Sequence, residues 1–335
     1  MENLEMIDYW KNRRVLVTGA TGLVGGSLVA KLLQLGAEIG IIVLEESNQS
    51  ELIKSGNIHK CYVYRGDIRD QQFVKFVIVD FAPDDVFHLG AQTIVGKALI
   101  DPAATFESNI QGTWNLLEAI RIYCPAVKSV QVASSDKAYG SSKILPYDES
   151  FPLHGDGPYD VSKSCTDLIA QSYKVTFKLP ITVGRCGNIY GPGDLNWSRI
   201  VPGTFKAIFS GEQPVLRSDG TYLRDYIHVD DVISAYLTLG QNALSIQGNG
   251  VYNFSTDKAY SVIDIYKEIC LVTSGKFITP NILNSAVNEI HDQHLDSSKA
   301  RRELGWSAQL TLESGLRMTR DWYEKTINDG NSIHE

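Results

Sequence analysis

The first patterned segment, RVLVT at 14–18, is a short β-branched run that stops abruptly at glycines. Residues 23–35 then place apolar side chains at helical spacing and end at Gly36, a residue suited to closing a helix. A second apolar run at 39–44 ends in the acidic pair Glu45 and Glu46. The beat repeats: strand-like 61–64, helix-like 71–81, strand-like 85–89, helix-like 109–123, strand-like 129–133, helix-like 159–178, strand-like 181–185. Strands alternating with helices of this length predict βαβ units on a parallel sheet. Several strands are apolar throughout, as strands covered on both faces must be. The fold class is therefore α/β, with a doubly wound parallel sheet in residues 1–187.

Beyond Asn188 the beat loosens. GPGD, Pro202, Gly203, Gly211, Pro214 and Gly220 break the chain into short elements. This predicts a smaller mixed α/β lobe over 188–335, closing on the C-terminal edge of the sheet. A segment near 225–255 is expected to return to the main domain, with GVYNF at 250–254 as another strand.

Length and composition narrow the class. At roughly 150 residues per domain, 335 residues suggest two domains. With 43% hydrophobic and 21% charged residues the composition is that of a globular protein. Lys plus Arg is 31 against 39 Asp plus Glu, a net charge of −8, with pI about 5.4. That balance argues against nucleic acid or an anionic membrane surface as main partner, while a local Arg cluster can still bind an anionic small molecule. No stretch approaches the roughly 20 apolar residues of a membrane helix. In MENLEMIDYWKNRR the basic residues follow the apolar ones and no apolar core succeeds them, so a secretory signal is not expected. Five scattered cysteines without a CxxC pair imply neither disulfides nor zinc and suggest a reducing, cytoplasmic setting. His88 and His228 read as buried, hydrogen-bonded histidines, His291 and His294 as surface residues, and no metal is expected.

Candidate chemistry begins at TGATGLVGG. Gly19, Gly22 and Gly25 sit between the first strand and first helix, where backbone N–H groups can approach a pyrophosphate. Glu45, about 20 residues further on at a strand end, is placed to bind ribose hydroxyls and repel a 2′-phosphate, favouring NAD over NADP; Glu46 is the alternative. Asp67 follows the third strand and is similarly placed for the adenine edge. Tyr159 and Lys163 form YxxxK on one helix face. An ammonium beside the phenol is expected to lower its pKa and make Tyr159 a base. Upstream, SSDK ends a strand, and Ser135 can hydrogen-bond the hydroxyl that Tyr159 deprotonates. Asp136 and Lys137 add two titratable groups.

Taken in order, TGATGLVGG, HLGAQ (88–92), Asn109, SSDKAYG (134–140), YDVSK and RCGNIYGPGD resemble the extended short-chain dehydrogenase/reductase family, and RELGW near the C-terminus also fits. Within it the sequence is most similar to CDP-glucose 4,6-dehydratases, whose active-site strand carries an Asp-Lys pair before the YxxxK helix. The resemblance implies a Rossmann-type sheet and a bound NAD. Its contacts would be Gly19, Thr21, Gly22, Leu23, Val24, Gly25, Glu45, Asp67, Ile68, Leu89, Ala91, Gln92, Asn109, Tyr159 and Lys163. It also implies a nucleotide-activated sugar, with Ser135, Asp136, Lys137, Tyr159 and Lys163 catalytic. Asn188 matches the asparagine that contacts the diphosphate, and Arg199, Arg217 and Arg224 are candidate substrate cations. The implied reaction is 4,6-dehydration: oxidation at C4, proton loss at C5, loss of the 6-hydroxyl, and hydride return to C6. RDYIHVDD (224–231) reads instead like epimerases and decarboxylases, so a 4-epimerase is the alternative. A non-catalytic nucleotide-sensing module is the reading from another class, and the presence of both Tyr159 and Lys163 counts against it. Family membership further implies a homodimer or tetramer.

Overall fold

A computed structural model describes residues 4–46, 50–285 and 289–328. After α1 (Leu4–Trp10), the chain alternates β1 (Arg14–Thr18), α2 (Leu23–Gln34), β2 (Glu38–Val43), α3 (Glu51–Lys54), β3 (Tyr62–Arg65), α4 (Gln71–Phe81) and β4 (Asp85–His88). Next come α5 (Val95–Ile100) and α6 (Pro102–Phe106). A π-turn at Glu107–Gln111 then joins α6 to α7 (Gly112–Tyr123). The helix expected at 109–123 therefore has an earlier, irregular beginning. β5 (Ser129–Ala133), α8 (Pro158–Phe177) and β6 (Ile181–Cys186) complete the alternation.

The termini of these helices follow local chemistry. Asp70 caps α4 by accepting from the Gln72 and Phe73 amides at 2.8 and 3.2 Å. Gly36, just past α2, takes φ 80°, the left-handed conformation that glycine adopts without a Cβ clash.

Beyond β6 lie β7 (Asn188–Tyr190), α9 (Ile200–Phe209), β8 (Val215–Leu216), β9 (Leu223–His228) and α10 (Val229–Asn242). They are followed by β10 (Val251–Phe254), β11 (Ala259–Ser261), α11 (Val262–Ser274), β12 (Asn281–Ile282), β13 (Asp292–Gln293), α12 (Ser298–Leu304) and α13 (Leu312–Asn328). The main sheet has seven strands in the order β10-β6-β5-β4-β1-β2-β3, and every pairing is parallel. This is the doubly wound Rossmann-type architecture. β9 is the hub of a second sheet, antiparallel to β11 and parallel to β7 and β13. β10 pairs with β6 from Val251 opposite Val183 to Phe254 opposite Cys186, so the chain re-enters the main sheet there.

Both faces of the main sheet are covered. Alternate β1 residues go to opposite sides: Val15 and Val17 pack with Leu28, Leu32, Phe87, Val232 and Tyr236, whereas Leu16 packs with Val74, Phe81, Leu117 and Ile120. α10 thus lies on the same face as α2, although it comes from the second half of the chain. Phe205, Tyr226, Ile265, Ile269, Leu316 and Tyr323 form the core of the smaller lobe. In sheets of this kind, ligands bind outside the carboxyl ends of the strands. Candidate residues follow each of β1 to β6.

Candidate active site

The glycine turn after β1 is shaped by close backbone approach. Gly19 has φ 71°, and a Cβ there would stand 2.7 Å from the Gly90 amide nitrogen. A Cβ on Gly25 would lie 2.1 Å from the Gly19 carbonyl oxygen, so the first turn of α2 rests on the loop itself. Gly22 differs: it is the extended N-cap of α2, it has no side-chain cap, and a Cβ there would meet nothing closer than 3.5 Å. The first N–H groups of a helix lack partners within it and lie at its positive end, which suits a phosphate. A cavity of about 250 Å³ opens beside them, lined by Thr21, Gly22, Leu23, Gly193, Asn196 and Arg199 among others. A dinucleotide pyrophosphate fits this cradle.

Around it, β1 and β4 are clamped together. Thr18 Oγ1 accepts from the Leu89 and Gly90 amides at 3.1 and 2.9 Å and contacts His88 Nδ1 at 2.9 Å. His88 Nε2 lies 3.0 Å from Thr113 Oγ1, whose own proton goes to the Asn109 carbonyl. Burial holds His88 down at about 3, hence neutral, and its role is internal. The Asn109 side chain accepts from the Gln92 amide at 2.7 Å and donates to the Gln92 carbonyl and to Ser162 Oγ at 3.0 and 2.8 Å. HLGAQ is thereby tied to the YxxxK helix. Ser162 is a link that sequence reasoning passes over, because nothing local marks it.

At the end of β2, Glu45 is exposed, while Glu46 pairs with Arg65 at 2.7 Å. Asp67 is slightly buried, which pushes its pKa up, but hydrogen bonds from Arg69 outweigh this and hold it low. Ile68 fills the space above Gly112, and its carbonyl accepts from Asn115 at 3.0 Å. Leu89, Ala91 and Gln92 follow β4 directly.

β5 delivers the reactive cluster. Ser135 caps the tight turn Asp136–Tyr139: its Oγ accepts from the Lys137 amide at 3.2 Å and donates to Asp136 Oδ1 at 2.9 Å. Ser135 also acts on the Tyr159 phenol, opposing the rise in its pKa. Lys163 is buried and donates to the Ala133 carbonyl at 2.8 Å. Loss of solvent pulls Lys163 down to about 8, partly opposed by Asp167. Asp167 is itself fixed by Arg185 through bonds of 2.7 and 2.9 Å.

The phenol departs from the sequence expectation. Burial, and then the nearby Asp136, push the Tyr159 pKa above its ordinary value, with Ser135 and Arg199 opposing. Lys163 is not among the main groups that lower it, and its ammonium donates to the Ala133 carbonyl.

Asp136 is 3% exposed, and burial raises its pKa against the opposing pull of Lys137, Ser135 and Arg224. Its Oδ2 is buried without a hydrogen-bond partner. Lys137 is driven the other way: burial lowers its pKa, Asp136 opposes, and the Arg224 charge adds to the lowering. An acid whose proton affinity is raised and an amine whose proton affinity is lowered therefore sit side by side.

The candidate substrate cations separate. Arg199 lines the cavity at the start of α9 and pairs with Asp194 at 2.9 Å. Asn188 donates to the Asp225 carbonyl at 3.4 Å. Arg217 is exposed just after β8 and is not among the main influences on Asp136, Lys137 or Tyr159. Arg224 is buried, and its guanidinium donates to the carbonyls of Leu223, Ile290 and His291, so its charge reaches Asp136 and Lys137 only at a distance.

Its neighbour Asp225 is the residue that sequence reasoning misses, the only signal being an acid inside an apolar strand. Burial lifts Asp225 to about 7, Ser255 opposes, and Asp136 adds to the rise. Gln293 donates to the Asp136 carbonyl at 2.9 Å and braces the same floor from β13. Among the described residues no three of His, Cys, Asp and Glu converge as metal ligands, and no helix is long and apolar enough to cross a membrane.

The sequence profile of a family described as GDP-mannose 4,6 dehydratase matches residues 16–319. The chain is 29% identical to the CDP-glucose 4,6-dehydratase of Salmonella typhimurium, covering 96% of this chain and 94% of that protein. Among solved structures, UDP-glucose 4-epimerase with UDP-glucose from Thermotoga maritima superposes with a TM-score of 0.85. It is 29% identical, over 93% of this chain and 99% of that one. The dTDP-glucose 4,6-dehydratase of Bacillus anthracis, in complex with NAD, gives 0.81 at 27% identity, over 94% and 97%.

Proposed function

The chain belongs to the GDP-mannose 4,6 dehydratase family of NAD-dependent nucleotide-sugar dehydratases and epimerases, and we propose that within it the protein is a dehydratase acting on CDP-glucose. The observation that carries this reading is the Asp136–Lys137 pair, Asp136 buried and Lys137 half-buried beside Ser135 and Tyr159, with proton affinities shifted in opposite directions. Elimination needs such a pair in addition to a C4 oxidation site, whereas 4-epimerisation does not. The similarity to the CDP-glucose enzyme supports the choice of base and sugar.

NAD is held by Gly19, Thr21, Gly22, Leu23, Val24 and Gly25 at the pyrophosphate, Glu45 at the ribose and Asp67 with Ile68 at the adenine. Leu89, Ala91, Gln92 and Asn109 continue the site towards Tyr159 and Lys163. When bound, NAD supplies a hydride acceptor for C4 and returns the hydride to C6. Tyr159 takes the proton of the 4-hydroxyl while Ser135 orients that hydroxyl. The 4-ketone acidifies C5, Lys137 removes its proton, and Asp136 protonates the departing 6-hydroxyl. Asn188 and Arg199 bind the diphosphate, and Arg224 keeps Lys137 poised to accept a proton.

A cytoplasmic homodimer completes the reading. All five cysteines are free. α7 and α8 leave Trp114, Ile122, Tyr123, Leu168, Val175 and Phe177 between 42 and 54% exposed, an apolar face suited to a two-fold contact.

The test is to incubate the NAD-loaded protein with a panel of nucleotide hexoses and follow the products by mass. Loss of one water from CDP-glucose is expected. Inversion at C4 without loss of mass establishes the epimerase instead.

A further inference from the structure

Dehydration and 4-epimerisation alike take a hydride from C4 and give it back within the same turnover. A cofactor lost in its reduced form strands the oxidised sugar, so NAD must be held through the whole cycle. The glycine turn and α2 supply one side of that grip. Facing them is a loop from the second half of the chain, residues 191–199, which joins β7 to α9.

This loop lies against the starts of α2 and α3. A Cβ on Gly193 would stand 3.0 Å from Glu51 Cγ and 3.9 Å from Leu23 Cδ1. Thr21, Gly22 and Leu23 of the glycine turn share one cavity with Gly193, Asn196 and Arg199 of the loop. We propose that residues 191–199 are a clasp that closes over the NAD pyrophosphate, with Arg199 as its cation. The clasp rests on NAD lying at the glycine turn, and not on the choice between dehydratase and epimerase.

The loop is fixed by its own side chains and by the smaller lobe. Asp194 is buried, and its carboxylate accepts from the Asn196 amide at 3.1 Å and from Arg199 Nη1 at 2.9 Å. The Asp194 carbonyl accepts from the Tyr323 hydroxyl of α13, and the Trp197 and Tyr323 ring centroids are 5.8 Å apart. Tyr323 belongs to the core of the smaller lobe, so the clasp is anchored there while Gly193 rests on α2 and α3. Among the described residues the Arg199 side chain is hydrogen-bonded to Asp194 alone, which leaves guanidinium N–H groups for phosphate oxygens. Arg199 is also the one cation on a cavity wall that includes the acids Glu51 and Asp194. Without it, that wall would repel a pyrophosphate. Its charge reaches the Tyr159 phenol as well, so one side chain serves both the cofactor and the substrate side.

The experiment loads the protein with radiolabelled NAD, adds excess unlabelled NAD without any nucleotide sugar, and follows release of the label. Arg199→Gln is expected to release NAD roughly 10–100-fold faster than wild type. Tyr323→Phe removes only the hydroxyl that holds Asp194 and should speed release about 5-fold. Arg317→Gln, an equal charge change on the exposed side of α13, should release NAD at the wild-type rate. Should Arg199→Gln and Tyr323→Phe not fold, amide hydrogen exchange of residues 191–199 in the wild type decides. Slower exchange with NAD bound supports the clasp, and equal exchange overturns it. Wild-type release rates from Arg199→Gln and Tyr323→Phe, with faster release from Gly25→Ala, overturn the clasp alone. An unchanged rate from Gly25→Ala as well overturns the placement of NAD at the glycine turn, and the clasp with it.

Discussion

Asp136 and Lys137 are assigned different proton transfers, so their variants have different meanings from those of Tyr159. Asp136→Asn keeps the shape but cannot acidify the 6-hydroxyl, and Lys137→Met keeps most of the stem without an amine. Each is expected to lower 4-keto-6-deoxy product by about 10²–10⁴-fold while substrate still reduces NAD, visible as nicotinamide absorbance. A Lys137→Met variant that dehydrates normally removes Lys137 as the base. Asp225 carries a stability signature instead. It titrates near its ordinary carboxylate value when unfolded and at about 7 when folded. Between those values the unfolded chain ionises while the folded one holds its proton, so this group's contribution to stability falls as pH rises and levels off above about 7. Asp225→Asn should therefore gain stability relative to wild type between about pH 5 and about pH 8, read from denaturant midpoints. A relative loss over that range contradicts the assigned shift.

At the scale of elements, the glycine turn is built from parts with unequal tolerance. Gly25 has backbone at 2.1 Å from where a Cβ would stand, whereas at Gly22 the nearest atom is 3.5 Å away. Gly25→Ala must push α2 off the turn, at a cost of about 1–3 kcal/mol or more, and is expected to release NAD and lower Tm. Gly22→Ala should cost about 1 kcal/mol or less in the apo protein. Equal thermal shifts for the two variants, measured without cofactor, contradict this account. The same reasoning explains how β1 and β4 present their ends together: Thr18 bonds both amides that follow His88.

For the whole molecule, the exposed apolar side chains on α7 and α8 set the expected assembly. A dimer is expected by light scattering at micromolar concentration. Leu168→Glu places a charge in that face and should give a monomer with unchanged secondary structure. A wild-type monomer contradicts the proposed contact. The two lobes are connected through shared elements: α10 packs on the face that α2 covers, and β10 pairs with β6. No single boundary near 187 therefore separates a cofactor half from a substrate half in space.

Much of this was legible from the chain alone, because it depends on local spacing. Short apolar runs alternating with helically spaced segments over 14–185 specify parallel strands with covering helices. A glycine triplet after a strand specifies a phosphate turn, and YxxxK on a helix specifies one shared face. What the sequence left open depends on groups far apart in it. Lys163 meets the Ala133 carbonyl, Arg224 meets carbonyls of 290 and 291, and Gln293 braces Asp136. Charge states follow from those encounters, since burial by distant elements removes water and sets which group keeps its proton. Residue type and order nominated Tyr159, Asp136 and Lys137, but only the folded packing decided that the pKa of the phenol and of the carboxyl is raised and that of the neighbouring amine lowered.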